Sequence, residues 1–414
     1  MSSIIPILAS IIIGAFLVTV SIPIIVRVSR AKNLVDVPNE RKVNKTVIPN
    51  LGGIALFLGI TISSLLCIYQ YDFKDLRYVV FAMIVMFFIG IKDDILDISA
   101  RKKFMVQFLT AFVLILLGGI RFTNLHGVLG LYEINYLLSF IISSIAIVGI
   151  MNAVNLIDGI DGLATLLGFL ISSFFGVFFF WWDQVPYAVL CFAVAGSLGA
   201  FFFYNVFGRE NKIFMGDTGS LILGCLFSIF IIKFNEFTLS GSEMMNSSSP
   251  AISMAVISIP LFDMLRVFAL RILQGKSPFY PDKNHIHHKL LNLGYSHIKS
   301  SLILFIVNIL LIGIAFSFSN MNNNIQLVIL VLFAALFSAI PGLIMRYRSS
   351  NVSSEPASSK LSVKIPLASV TDLSTHKFDL LDEFYIDGNR NKRDLKNPRY
   401  STSKIRKEEM EKIS

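Results

Sequence analysis

The feature of this sequence that most constrains its fold is a series of apolar runs separated by short polar stretches. Each run holds about 20 residues, enough for one helix to cross the hydrocarbon core of a bilayer. Charged residues make up only 15% of the 414 residues, against about 25% in a typical soluble protein. The chain is therefore predicted to be an all-α polytopic membrane protein with about 10–11 transmembrane helices.

The candidate spans have bounds that are good to a few residues. They lie near residues 4–26, 52–69, 78–92, 104–120, 137–151, 163–181, 186–206, 219–234, 250–272, 301–319 and 325–345. Pro260 falls inside the ninth span and is expected to kink it, because proline removes a backbone donor. These spans predict a transmembrane domain over residues 1–346. The Ser-rich and then mixed-charge stretch 347–414 is predicted to be a mostly disordered cytoplasmic tail.

The distribution of lysine and arginine predicts the orientation of the chain. Basic residues concentrate in the loops after spans one, three, seven and nine, and the even-numbered loops hold few. The odd-numbered loops are therefore predicted to face the cytoplasm. Four polar clusters also fall at odd-numbered loops: Asp93 to Asp97, Asn152 to Gly162, Gly216 to Ser220, and His285 to His288. This segregation predicts one shared active site on the cytoplasmic face of the inner (cytoplasmic) membrane.

Carboxylates beside apolar segments are costly to place near a bilayer, so they indicate a function. Asp217, just ahead of an apolar helix, is either an N-cap or a Mg²⁺ ligand beside a phosphate at the helix N-terminus. Asp93 and Asp94 point in different directions on a helix, which suits one to a cation and the other to a substrate. The alternative is a solvated helix end that pairs with nearby lysines.

The other clusters offer amides, imidazoles and cations. Asn155 and Asp158 could hold a nucleotide base or ribose through hydrogen bonds, or cap a helix end. A zinc site is conceivable from the histidine count, but contacts to a pyrophosphate are favoured, because no cysteine accompanies the histidines. Arg271 could neutralise phosphate. Lys42 is either a phosphate contact or a basic determinant of topology.

Together these groups favour phosphoryl chemistry between a water-soluble diphosphate and a lipid phosphate, with a metal ion neutralising charge in the transition state. The net charge of +9 suits contact with anionic membrane lipid. Nucleic acid is not an expected partner, because no basic stripe interleaves with aromatic residues. The competing hypothesis is a polytopic secondary transporter with an intramembrane acidic site.

The order and spacing of the motifs resemble those of the polyprenyl-phosphate N-acetylhexosamine-1-phosphate transferases. The similar motifs are Asp93-Asp94-x-x-Asp97, Asn152-x-x-Asn155-x-x-Asp158-Gly-x-Asp161-Gly, Gly216-Asp217-x-Gly219-Ser220 and His285-Ile-His287-His288. The last of these resembles the WecA- and TagO-like branch, which uses UDP-GlcNAc. It differs from the pentapeptide-accepting branch, whose histidine pair is followed by a glutamate.

The resemblance implies transfer of a sugar 1-phosphate from a UDP-N-acetylhexosamine to undecaprenyl phosphate, with release of UMP and with Mg²⁺ as cofactor, for which Mn²⁺ can substitute. It implies that Asp93 activates the lipid phosphate and that Asp94 is its catalytic neighbour. The implied metal ligands are Asp217 and Asn155. The predicted substrate contacts are Lys42, Lys103, Asn152, Asn155, Asp158, Asp161, Arg271, His285, His287 and His288. Dimers are known among related enzymes, so a homodimer is among the expected partners.

Overall fold

The structure is a computed structural model that describes residues 3–34, 47–68, 71, 73–239, 243–278, 282 and 284–353. The described helices are α1 (Ile4–Ala31), α2 (Gly52–Ile68), α3 (Leu76–Leu96), α4 (Ala100–Leu116), α5 (Tyr136–Ile157), α6 (Leu163–Trp181), α7 (Val185–Phe202), α8 (Gly216–Thr238), α9 (Glu243–Val256), α10 (Ser258–Leu273), α11 (Ile286–Asn292), α12 (His297–Ser317) and α13 (Asn323–Ser353). A π-helical turn, Phe203–Phe207, extends α7.

The prediction of a polytopic helical membrane protein is confirmed. Each predicted span corresponds to a helix, and seven described helices are long and apolar enough to cross a membrane. These seven are Ile4–Ala31, Tyr136–Ile157, Leu163–Trp181, Val185–Phe207, Gly216–Thr238, His297–Ser317 and Asn323–Tyr347. The other predicted spans correspond to helices that are shorter or that carry charges near one end, namely α2, α3, α4 and the α9–α10 pair.

Helix α8 forms the centre of the bundle. Every residue from Thr218 to Ile232 is buried, and the helix packs against α2, α3, α5, α6 and α9. Because other helices cover it on all sides, this part of α8 has no face left for solvent or lipid. Asp217, near its first residue, is thereby placed where neighbouring helices meet.

A short β-hairpin lies at the other end of α8 and was not predicted. Strands β1 (Asn124–Val128) and β2 (Leu131–Glu133) pair antiparallel, and they are too short for a legible alternation of apolar and polar residues. The hairpin region is tied to α8 because the Glu236 carboxylate accepts hydrogen bonds from Thr123 N and Oγ1, both at 2.7 Å.

The ninth predicted span is interrupted near Pro260, as expected from its sequence. Helix α9 ends at Val256 and α10 begins at Ser258. A proline lacks an N–H, so the carbonyl four residues earlier, on Val256, loses its partner within the helix. Asn308 on α12 supplies the replacement: its Nδ2 donates to Val256 O at 3.1 Å, and its Oδ1 accepts from Ile259 N at 3.3 Å. The backbone groups at the break are therefore hydrogen-bonded by the Asn308 side chain.

Two predictions concern residues at or beyond the ends of the segments that the structure describes. Helix α13 continues to Ser353, so helical structure passes the predicted domain boundary at residue 346. The rest of the predicted tail lies outside the described residues. Lys42 also lies outside them.

We predict that Asn308→Leu destabilises the protein, because it leaves the buried Val256 carbonyl and Ile259 N–H without partners. An unsatisfied buried group costs about 1–3 kcal/mol, so the thermal unfolding temperature in detergent should fall measurably. The matched control is Ser317→Ala on the same helix, where an exposed hydroxyl bonds only to its own helix at Gly313 O. Equal unfolding temperatures for the two variants would contradict this role for Asn308.

Candidate active site

The end of α3 and the start of α8 are joined by the carboxylate of Asp94. Its Oδ1 accepts from Asp217 N at 2.7 Å, and its Oδ2 accepts from Thr218 N at 3.0 Å and Thr218 Oγ1 at 2.6 Å. Asp94 thus caps α8 from a neighbouring helix, where a negative charge is favoured by the helix dipole. The sequence-based interpretation had offered the N–H groups at this helix start to a phosphate. In the structure, the N–H groups of Asp217 and Thr218 donate to Asp94 instead. The catalytic role of Asp94 stays a prediction.

Two glycines permit this close approach. Gly90 lies one helical turn before Asp94 on the same face of α3, and a Cβ there would collide with Thr218 Cα. Gly216 has φ +72°, a conformation that glycine adopts without strain, and a Cβ there would strike Asn50 O. Small residues at these two positions therefore set the distance between α3 and α8.

The ammonium of Lys103 on α4 lies at the meeting point of three other helices. Its Nζ is 2.8 Å from Asp93 Oδ2 on α3 and 3.0 Å from Asp217 Oδ2 on α8. The Asn155 Oδ1 on α5 is 3.5 Å away. Asn155 Nδ2 donates to Asp217 Oδ1 and, at 2.8 Å, to Ser220 Oγ. The structure therefore brings four predicted site residues, Lys103, Asp93, Asp217 and Asn155, into one cluster.

Helical periodicity extends the cluster by one turn. Lys103 and Gln107 share a face of α4, as Asn152 and Asn155 share a face of α5. Asn152 Nδ2 donates to Gln107 Oε1 at 2.8 Å, so its amide is used to hold α5 against α4. Gln107 is fully buried. Its spacing from Lys103 is the signal that could have identified it from the sequence.

The loop between α5 and α6 carries two aspartates with different surroundings. Burial and the negative charges of Asp217, Asp94 and Asp161 raise the pKa of Asp158 to about 7. Among the described residues, no hydrogen-bond donor to the Asp158 carboxylate is present. A carboxyl with this pKa can exchange a proton near neutral pH.

Asp161, by contrast, is already paired. Its Oδ2 is 2.7 Å from Lys212 Nζ and 3.3 Å from His297 Nδ1. Burial alone would raise its pKa, but the hydrogen bonds and positive charge of these two partners outweigh burial and hold the pKa of Asp161 below its usual range. These contacts tie the loop to the α7–α8 connection and to α12. The predicted substrate contact of Asp161 is not tested by them.

The three predicted histidines lie together on and beside α11. The rings of His287 and His288 have centroids 4.3 Å apart, and those of His285 and His287 are 5.6 Å apart. His287 packs against Gly159 so closely that a Cβ there would collide with its ring, which places the histidine cluster beside the α5–α6 loop. Burial and the neighbouring histidines lower the pKa of His287 to about 3, so it is neutral at physiological pH.

His285 and Arg271 are held by acidic partners that the prediction did not include. His285 Nδ1 is 2.8 Å from Asp263 Oδ2. Arg271 is 3% exposed and forms a two-pronged pair with Asp282, with both N–O distances at 3.0 Å. The Arg271 guanidinium is thus engaged in shaping the segment before α11, and its predicted phosphate contact stays a prediction.

The donor set suits a hard divalent cation. Mg²⁺ in proteins is typically held by one or two carboxylates, completed by waters and substrate phosphates. The described residues contain no cluster of three His, Cys, Asp or Glu side chains placed to hold a metal. They do provide two carboxylates, Asp93 and Asp217, and the amide of Asn155 around one point. This set fits Mg²⁺ better than zinc, because the histidines and cysteines that zinc prefers are not part of it.

The fold and site thus define a polytopic membrane protein whose acidic, amide and cationic side chains converge at one end of the helical bundle. Residues 76–235 match the sequence profile of glycosyl transferase family 4. This segment contains Asp93, Lys103, Asn155 and Asp217.

Three relatives extend the match over most of the chain. The undecaprenyl-phosphate alpha-N-acetylglucosaminyl 1-phosphate transferase of Salmonella typhi is 30% identical over 310 residues, covering 73% of this chain and 82% of the relative. The protein of that name from Escherichia coli (strain K12) is 30% identical over 316 residues, covering 75% and 83%. A Bacillus subtilis (strain 168) protein, named probable undecaprenyl-phosphate N-acetylglucosaminyl 1-phosphate transferase, is 30% identical over 347 residues, covering 82% and 93%.

The chain belongs to glycosyl transferase family 4, in the group of sugar-1-phosphate transferases that includes these relatives. The family resemblance predicted from the four motifs is therefore confirmed. The secondary-transporter hypothesis is not favoured, because each of these relatives is named as a transferase.

We predict that Asp94→Asn weakens the junction between α3 and α8. The amide removes the negative charge at the helix N-terminus and can accept through one atom only, so the free energy of unfolding should fall by about 1–3 kcal/mol. Thermal unfolding in detergent measures the change. The control is Asp97→Asn, three residues on, where the side chain is exposed and the φ of +47° is tolerated by both residue types. A loss as large in the control would refute the capping role.

Proposed function

We propose that the protein transfers N-acetylglucosamine 1-phosphate from UDP-GlcNAc to undecaprenyl phosphate and releases UMP. The relatives' names support the acceptor and the transferred group. The observation that carries the proposal is the convergence of Asp93, Lys103, Asn155 and Asp217 at one end of the bundle. Carboxylates and a cation grouped this way suit phosphoryl transfer, where catalysis consists mainly of positioning and charge stabilisation.

We propose that the protein lies in the inner membrane and that this end of the bundle faces the cytoplasm. The first turn of α4 carries Arg101 and Lys102, and the α7–α8 connection carries Arg209. Both segments flank the site, and basic residues are expected on the cytoplasmic side. A site at the membrane surface lets a water-soluble nucleotide sugar meet an acceptor that stays in the bilayer. A homodimer is part of the same proposal.

In the proposed reaction, a phosphate oxygen of the acceptor attacks the phosphorus that is bonded to the sugar. A new P–O–P linkage forms on the lipid. The bond between the attacked phosphorus and the bridging oxygen of the donor breaks, and UMP leaves with that oxygen. Lys103 is placed to offset the negative charge that develops on these oxygens. Bound Mg²⁺, held by Asp217 and Asn155, would supply further charge neutralisation at the pyrophosphate.

Asp93 is proposed to receive the proton of the acceptor phosphate when that phosphate arrives protonated. Its Oδ1 accepts from Ile98 N at 2.5 Å, so its carboxylate is fixed in direction before the acceptor binds. An aspartyl-phosphate route is the alternative. Exchange of labelled UMP into UDP-GlcNAc without lipid acceptor would favour that two-step route and argue against direct attack.

The donor and cofactor are tested with purified full-length protein in detergent, undecaprenyl phosphate, Mg²⁺ and a panel of UDP-sugars. We expect UMP release with UDP-GlcNAc to exceed release with UDP-GalNAc, UDP-glucose and UDP-MurNAc-pentapeptide. EDTA should stop release, and Mg²⁺ or Mn²⁺ should restore it. Failure to release UMP from any of these donors would refute the proposed function, and preference for the pentapeptide donor would correct its specificity.

We predict that Asp93→Asn and Asp217→Asn each lower turnover by at least about a hundredfold, because the first removes the proposed proton acceptor and the second removes a proposed ligand of the metal ion. The measurement is UMP release at saturating UDP-GlcNAc by protein that remains monodisperse in detergent. The control is Asp183→Asn, an exposed aspartate in the α6–α7 connection, which should retain full activity. Near-normal turnover in either site variant would refute the role assigned to that residue.

A further inference from the structure

The three oxygens around Lys103 belong to three different helices. They are Asp93 Oδ2 on α3, Asn155 Oδ1 on α5 and Asp217 Oδ2 on α8, at 2.8, 3.5 and 3.0 Å from the ammonium. We call these three atoms the oxygen cage. The Lys103 side chain is 12% exposed, that of Asp93 is 9% exposed and that of Asp217 is 33% exposed, so the cage is open to solvent on its Asp217 side.

We propose that the Lys103 ammonium and the divalent cation are alternative occupants of the oxygen cage, so that metal binding displaces the lysine. This inference rests on the divalent cation of the proposed function. Carboxylate and amide oxygens are the ligands that Mg²⁺ requires, and those of the cage are engaged by Lys103. The ammonium and a metal ion cannot both contact these oxygens, because the two positive charges would repel each other strongly at that distance.

The chemistry of lysine suits an exchangeable cation. Its ammonium is a compact point charge on a flexible four-carbon stem, and it can leave without moving the helix that carries it. Lys103 lies in the first turn of α4, next to the exposed Arg101 and Lys102. While it occupies the cage, it keeps Asp93 and Asp217 from repelling each other. Once displaced, it brings its charge toward the phosphates that accompany the metal.

A second partly buried lysine provides a matched comparison in the same protein. Lys233 Nζ, near the other end of α8, is 2.7 Å from Asp75 Oδ2 and its side chain is 15% exposed. Among the described residues, Asp75 is the one carboxylate that this ammonium pairs with. Lys233 should therefore contribute to stability and leave divalent-cation binding unchanged.

The test measures Mn²⁺ binding by electron paramagnetic resonance in full-length protein in detergent, without nucleotide or lipid substrate. We expect Lys103→Met to bind Mn²⁺ at least about tenfold more tightly than wild type, the gain expected if the lysine fills the cage nine-tenths of the time. Lys233→Met should bind Mn²⁺ with wild-type affinity. Equal or weaker binding by Lys103→Met, or no binding by both it and the wild type, overturns the proposal.

Thermal unfolding provides a second readout. In EDTA, Lys103→Met should unfold at a lower temperature than wild type, because two carboxylates lose their counter-charge. Mg²⁺ should then raise its unfolding temperature by more than it raises that of wild type or Lys233→Met. Lys103→Gln replaces Lys103→Met if the latter does not purify as folded protein. An equal Mg²⁺ response in all proteins contradicts the exchange.

A third measurement uses the unmodified chain. Acetic anhydride labelling of Lys103, followed by mass spectrometry, should increase when Mg²⁺ is added, while labelling of Lys233 stays constant. Unchanged or reduced labelling of Lys103 would overturn the proposal. None of these readouts depends on turnover. A failure of the UDP-sugar assay therefore refutes the proposed function but does not affect the three measurements of the exchange between Lys103 and the metal ion.

Discussion

The interaction on which the rest of the site depends is the capping of α8 by Asp94. A carboxylate from α3 accepts three hydrogen bonds from the first residues of α8. The first N–H groups of a helix have no partner within it, and at a buried helix end they must be satisfied by another element. Because Asp94 supplies that partner, Asp93 beside it and Asp217 opposite it are brought to the same ammonium.

Charge balance explains why so many ionisable groups can gather at one end of the helical bundle. A buried charge is costly unless it is paired and hydrogen-bonded. Lys103 pairs with two carboxylates, Lys212 and His297 share Asp161, and Arg271 meets Asp282. Within the described part of the chain, Asp158 differs from these aspartates: no ion pair forms on it, and it is a carboxyl whose pKa lies near neutrality. Its carboxyl can therefore change its charge near neutral pH.

The helices could be predicted from the sequence because a span is a local property: its length and apolar content are legible in one window. The clustering of the four polar motifs could also be predicted, because all four fall at odd-numbered loops and these are expected on the same face. Partners such as Asn308 for Val256, or Asp263 for His285, could not be predicted. They depend on which helices become neighbours, and polar residues inside an apolar run carry no signal of their partner. The β-hairpin was missed because its strands are shorter than the window that periodicity requires.

The two anchors of α8 have a consequence for its length. One end is fixed by Asp94, and the other end is fixed at Glu236 by Thr123. The 23 residues between and including its ends span about 35 Å at 1.5 Å per residue, and one added residue would also turn one end by about 100° relative to the other. The number of residues in α8 therefore sets both the position of Asp217 along the bundle and the direction of its side chain, and so is part of the geometry of the candidate active site.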